Sequence, residues 1–196
     1  DWDEIVRLAS DRCVVLAVDY VRRYGDGVNR LRRFLQSGGI GRIRTVAGHY
    51  TQGTLNNGTH WFDLARFLVG EVARVRGLDV LNEGTEDPTL DAFLEFECGA
   101  RAHLAGCEAA GFGLFEMDLL GTRGRARVIE WGRTIEVYEV VDDAYLTGYR
   151  TMALKETFEG GLNWGLLHAV ENVVHCLNGG DQPSCSGADA LAALKI

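Results

Sequence analysis

Trp2, Ile5, Val6 and Ala9 fall at i, i+3, i+4 and i+7, the repeat of a helix whose apolar face needs a partner. Residues 14–18 (VVLAV) carry no polar side chain and predict a strand covered on both faces, as in a parallel sheet flanked by helices. From Asp26 onward, Val28, Leu31, Phe34 and Leu35 predict a second helix. Ser37-Gly38-Gly39 stops it, and residues 42–51 read as a strand. The best-defined helix carries Trp61, Leu64, Ala65 and Leu68 on one stripe, with Asn57 or Thr59 to cap its start and Gly70 to end it.

Between residues 72 and 141 no helical period persists, and alternation of period two takes over. Leu90, Ala92, Leu94 and Phe96 point one way while Asp91, Glu95 and Glu97 point the other, as in antiparallel strands buried on one side and wetter on the other. Turn signals at 83–88, 98–99, 111–113, 121–124 and 132 separate these short segments. Helix then returns: Leu166, Val170, Val173 and Leu177 share a stripe, Gly179-Gly180 stops it, and a last helix starts near Ser186 and Ala188. The whole predicts an α+β fold, an open-faced, largely antiparallel sheet with helices packed on one face. No internal repeat is visible.

Composition narrows the class. With 46% apolar and 24% charged residues in 196, the chain has material for one sizeable core. A net charge of -8 repels nucleic acid phosphates, so nucleic acid is not expected as a partner. One basic stretch runs against that balance: Arg22, Arg23, Arg30, Arg32, Arg33, Arg42 and Arg44 share it with a single acid, Asp26, and are expected to form a solvated face. No apolar run approaches the roughly 20 residues of a membrane span, and the opening DWDEIVRLAS is acidic, so no membrane is expected and a cytoplasmic location is. Five cysteines, an odd count with no C-x-x-C pair, point to reduced structural thiols.

Three constellations could carry chemistry. His60 and Asp63 lie three apart on one helical face, away from the apolar stripe. There the positive end of the helix dipole favours a neutral imidazole, and a neighbouring carboxylate opposes that shift while orienting the ring. His168, Glu171 and His175 also share a face, but two turns separate the histidines by about 10 Å, so no metal site is expected. The run SGGIG at 37–41 closes a helix and opens a strand, the reverse of a dinucleotide-binding turn, and reads as a helix cap. Residues 121–124 likewise read as a hairpin connection.

The segments VVLAVDYVRRY, FLQSGGIGRIRTVAGHY, NNGTHWFDLARFLVG, LLGTRGRARV and SGADALAALKI occur in an order that resembles the Gfo/Idh/MocA oxidoreductases. That family shows a strand ending in Asn-Tyr-x-Arg-Arg, a helix closed by Ser-Gly-x-Ile-Gly, a Gly-x-His-x-x-Asp helix and a Gly-Thr-x-Gly hairpin. The resemblance implies an N-terminal Rossmann domain binding NAD or NADP, and a C-terminal α+β domain whose open sheet makes a homo-oligomer. On that reading residues 1–20 are the last helix and strand of the Rossmann domain. Residues 21–196 are the substrate-binding and oligomerisation domain, truncated at its end. The glycine fingerprint and a Glu-Lys-Pro motif would lie before Asp1, leaving this fragment inactive by itself.

The resemblance also makes His60 and Asp63 the catalytic pair. One takes the proton of a substrate hydroxyl as hydride leaves for the nicotinamide, the other orients the sugar, and which does which stays open. Some branches place a histidine four residues after the aspartate; here that residue is Phe67. Tyr20, Arg22 and Arg23 match the Tyr-x-Arg-Arg segment, the first two as substrate ligands and Arg23 on the cofactor side, while Asp19 stands in for the usual asparagine. Asn56 and Asn57 are candidate ligands of sugar hydroxyls. The implied function is an NAD(P)-dependent oxidoreductase acting on a sugar, cyclitol or polyol. Its alternatives are a nicotinamide-dependent glycoside hydrolase and a non-catalytic sugar-sensing or structural relative.

Overall fold

A computed structural model describes residues 1–108 and 111–196. Its centre is an eight-stranded sheet of β1 (Ile43–Tyr50), β2 (Val72–Leu78), β3 (Asp91–Phe96), β4 (Arg101–Gly106), β5 (Phe115–Gly121), β6 (Gly124–Ile129), β7 (Thr134–Asp142) and β8 (Arg150–Glu159). They lie in the order β2-β3-β4-β1-β5-β6-β7-β8. Only the central β1–β4 pairing is parallel among these; every other neighbour is antiparallel. The expected open, largely antiparallel sheet is therefore present. It includes one strand the alternation did not flag, β8, whose apolar Met152 and Leu154 are parted from Phe158 by a register shift against β7.

One face of the sheet is dry. Val46, Tyr50, Leu94, Leu104, Phe115, Met117, Leu119, Val128 and Ile135 are buried there, beneath α2 (Asp26–Gln36) and α3 (Thr59–Val69). These helices bury the stripes their periodicity predicts, Val28, Leu31 and Leu35 from α2, and Trp61, Leu64, Ala65 and Leu68 from α3. Trp61 fixes α3 against the sheet: its indole nitrogen donates to the Glu116 carbonyl at 2.9 Å, and a Cβ at Gly48 would sit 2.3 Å from that nitrogen. The opposite face carries ion pairs such as Arg74–Glu95 and Arg127–Glu136, with Phe93 and Leu120 exposed among them.

The 37–41 turn ends α2 with Gly38 and Gly41 at φ +79° and +73°. The hairpin tip at 122–123 docks on it, Arg123 donating to the Gly38 carbonyl at 2.7 Å and Arg42 N to the Thr122 hydroxyl at 3.1 Å.

Three expectations need correction. Residues 14–18 form no sheet strand: Val14 is 61% exposed, and the segment is held by an isolated bridge between Ala17 and Ser186. A strand buried on both faces needs strand neighbours, and among the described residues this segment finds only the turn before α5 (Gly187–Leu194), through Val18 N to Cys185 O and Gly187 N to Leu16 O, each 3.0 Å. The stripe of α4 (Leu162–Leu177) does not face inward either. Leu166, Val170 and Leu177 are exposed, and the buried face is Gly165, Ala169 and Cys176. The helix lies so close to a 3-10 turn, Val21–Tyr24, that a Cβ at Gly165 would meet the Val21 side chain at 2.7 Å, so small residues turn inward. Finally, the arginine-rich stretch is no uniform solvated face, because Arg22 and Arg23 are buried. The first helix, α1 (Trp2–Asp11), forms as expected, with Trp2 and Ile5 exposed. No described helix is long and apolar enough to cross a membrane.

Candidate active site

The chain enters α3 through a π-helical turn, Gly53–Gly58, and such turns cluster at functional sites. Asp87 on the β2–β3 connection accepts from the amides of Leu55 at 2.7 Å and Asn56 at 3.1 Å. It thereby does the capping expected of Asn57 or Thr59. Those two turn elsewhere: Asn57 donates to the Leu114 carbonyl at 3.2 Å, and the Thr59 hydroxyl donates back to Leu55 and Asn56 carbonyls, both at 2.9 Å. The positive end of the helical run thus lies about a turn before His60, correcting the expectation that a free helix end tunes that imidazole.

His60 is half-buried, and burial first, then the Arg22 guanidinium, lowers its pKa to about 4. Its Nδ1 is sealed from solvent with no hydrogen-bond partner among the described residues, and no described protein atom holds Nε2. The Tyr20 ring meets the imidazole edge-on, centroids 5.0 Å apart. At neutral pH the ring is uncharged, oriented by packing, and able to accept a proton through Nε2.

Asp63 does not hydrogen-bond His60. Its Oδ2 accepts from Arg23 Nε at 2.8 Å and its Oδ1 meets Arg23 Nη2 at 2.7 Å as an ion pair. Arg23 is further held by the Ser184 carbonyl at 3.1 Å and by Asp189 at 3.3 Å. Burial pushes the Asp63 carboxyl up to about 6 although Arg23 pulls it down, so the pair is still ionised at pH 7. With these partners Arg23 has little left to offer a phosphate. Phe67 packs between the guanidinium groups of Arg23 and Arg32, 4.9 and 4.1 Å from its ring centre.

Tyr20, Arg22 and His60 therefore converge, and Asp63 sits behind them on Arg23. Asn57 is buried in the wall. Asn56 stands apart, exposed in a cleft with Glu83, Thr85 and Asp87, its side chain donating to Gln52 O at 3.1 Å. Asp19 is exposed beside the site, with its pKa raised by partial burial. Three contributors had no signal in the sequence: Phe115, whose ring lies 3.4 Å under Arg22; Trp131, whose carbonyl accepts from Arg22 Nε at 3.0 Å; and Asp189. The Gly132 turn was visible, but not that Glu130 and Trp131 would also take φ of +53° and +66°.

The model of the GFO/IDH/MocA C-terminal domain matches residues 28–127, just over half of the chain. The chain belongs to that family. As a GFO/IDH/MocA domain it shares its fold with several solved structures. One, from Desulfitobacterium hafniense and described as an NADPH-dependent oxidoreductase, aligns with a TM-score of 0.78 at 17% identity, covering 100% of this chain and 64% of that one. UDP-N-acetylglucosamine 3-dehydrogenase from Acidithiobacillus ferrooxidans aligns at 0.71 and 18%, covering 100% and 65%. Levoglucosan dehydrogenase in complex with NADH and levoglucosan aligns at 0.75 and 19%, covering 94% and 63%. At such identities the likeness is one of fold, and this GFO/IDH/MocA chain spans less than two thirds of those chains. An uncharacterized protein of Haemophilus influenzae is 27% identical over 86 residues, 42% of this chain and 84% of its own length.

Proposed function

We propose that this chain is the substrate-binding half of an NAD(P)-dependent oxidoreductase acting on a sugar, cyclitol or related polyol. Residues 21–196 form that half, and residues 1–20 belong to a dinucleotide-binding domain. The observation that carries the reading is His60: a neutral imidazole with one nitrogen free, set beside Tyr20 and Arg22. No described residue offers a seat for a pyrophosphate. The glycine turn at 37–41 closes a helix and is filled by Thr122 and Arg123, so the dinucleotide is assigned outside the described residues. Nicotinamide, when bound, would supply the hydride acceptor.

The work left to this chain is done on the substrate alcohol. His60 Nε2 takes the hydroxyl proton as the carbonyl forms. Its low basicity suits a proton that becomes strongly acidic as hydride departs. Tyr20 keeps the ring edge-on, and Asp63 acts as a positioning residue, holding Arg23 and with it the 21–24 turn that carries Arg22. The test is a panel of aldoses, cyclitols and sugar acids offered to the holoenzyme with NAD⁺ and NADP⁺. Reduced nicotinamide is expected with at least one class, and none with any would reject the reading.

The exposed Phe93 and Leu120 on the open sheet face support a homo-oligomer. Sedimentation equilibrium at micromolar concentration should give twice the chain mass, and a lone 21.6 kDa species would remove that part.

A further inference from the structure

Three arginine side chains are almost wholly buried, and the protein treats them differently. Arg23, 6% exposed, has Asp63 and Asp189; Arg66, 7% exposed, has Glu71 at 2.8 Å. Arg22 is 6% exposed and has no carboxylate among the described residues. Among the described residues its single hydrogen bond runs from Nε to the Trp131 carbonyl. Below it lies the Phe115 ring, and beside it Gly132 at φ +92°, where a Cβ would meet Arg22 Nε at 3.2 Å. Its two terminal nitrogens have no acceptor among the described residues.

Removing one partner of a buried charge is expensive, so an unpaired buried guanidinium is a debt that a ligand can settle. Burial lowers the Arg22 pKa to about 9, with no carboxylate holding it up. A left-handed backbone at Glu130 and Trp131 is strained, and it persists where surroundings impose it. Here it delivers the carbonyl that fixes the fork.

We propose that Arg22 is the specificity-determining residue of this site and receives the carboxylate of an acidic sugar, its two terminal nitrogens gripping the two oxygens. The inference rests on the reading that the space beside His60 takes the substrate, and names its class. A guanidinium presents two parallel donors that match a carboxylate, a fit that lysine lacks. The charges at the site favour a monoanion: His60 is neutral, Arg23 is taken by Asp63 and Asp189, and Asp19 adds a carboxylate beside them, so Arg22 is the one guanidinium without a carboxylate partner. A phosphate dianion would bring a surplus negative charge into a molecule of net charge -8. Pairing would also remove one of the two causes that hold His60 at low basicity, making the imidazole a better base when an acidic sugar is present.

The experiment is titration calorimetry of the chain with d-glucuronate, d-glucose and d-glucose 6-phosphate, repeated for Arg22→Met, which keeps the stem over Phe115. Glucuronate is expected to bind at least 10-fold more tightly than glucose, and the variant to lose roughly 10- to 100-fold on glucuronate alone. Equal affinity for glucuronate and glucose, a preference that survives Arg22→Met, or stronger binding of the phosphate each overturns it. Should the variant misfold, the wild-type His60 imidazole resonance decides: glucuronate should move it where equimolar glucose does not, and no movement overturns the assignment. Turnover of neutral polyols without preference for acids sinks this inference and leaves the oxidoreductase reading standing. Arg22-dependent glucuronate binding without turnover of any sugar by the holoenzyme does the reverse.

Discussion

Asp63→Ala is expected to lower folding stability by about 3–5 kcal/mol, because it leaves Arg23 as an uncompensated charge in the interior. For a domain of this size that corresponds to a melting temperature lower by roughly 6–20 °C. The cost would not be shared with His60, which makes no hydrogen bond to the carboxylate. Asp189 softens the loss only partly: it lies 3.3 Å from Arg23, and its side chain also serves the Ser186 cap of α5. A double variant, Arg23→Met with Asp63→Leu, is expected to recover most of the loss, since apolar residues of similar volume can replace a buried pair. Urea unfolding of the wild type, Asp63→Ala and the double variant checks both statements. A single-variant loss under 1 kcal/mol would mean the pair is solvated enough to be dispensable.

The sheet was legible in the sequence because its strands are buried on one face, and alternation such as Ala92, Leu94 and Phe96 records that directly. Helices α2 and α3 were legible for the same reason at the helical period. The failures share a cause as well. In α4 the apolar stripe is conspicuous, but what turns inward is decided by how closely a neighbour approaches, and Gly165 lies against Val21. Residues 14–18 look like a buried strand because apolar runs do not say which partner covers them. At the site, His60 and Asp63 were visible as an i, i+3 pair, whereas their partners are long-range. Arg23 reaches Asp189 across 166 positions (189 − 23), and Asp87 caps the π-helical turn from another loop. Neither contact leaves a local pattern. The buried state of Arg22 was the least legible, since composition places arginine in water and only the Phe115 ring and the Trp131 carbonyl take it out.

His60→Ala is expected to reduce the turnover of the holoenzyme by roughly 10²- to 10⁴-fold, the range for losing a positioned general base. The loss should fall on kcat more than on KM, since the imidazole acts on a proton that moves only as the carbonyl forms. Stability should not follow it down. His60 buries Nδ1 without a partner, and a buried unsatisfied polar atom costs about 1–3 kcal/mol, so removing the ring offsets much of the packing it gives up against Tyr20. A variant inactive yet as stable as the wild type is the signature of a group kept for chemistry at the expense of the fold. His60→Gln separates the two roles further: it preserves polarity and bulk but cannot take a proton, so it should match alanine in rate. If glutamine instead restored turnover, His60 would be a hydrogen-bonding ligand of the sugar, and the proton acceptor would have to be sought outside this chain.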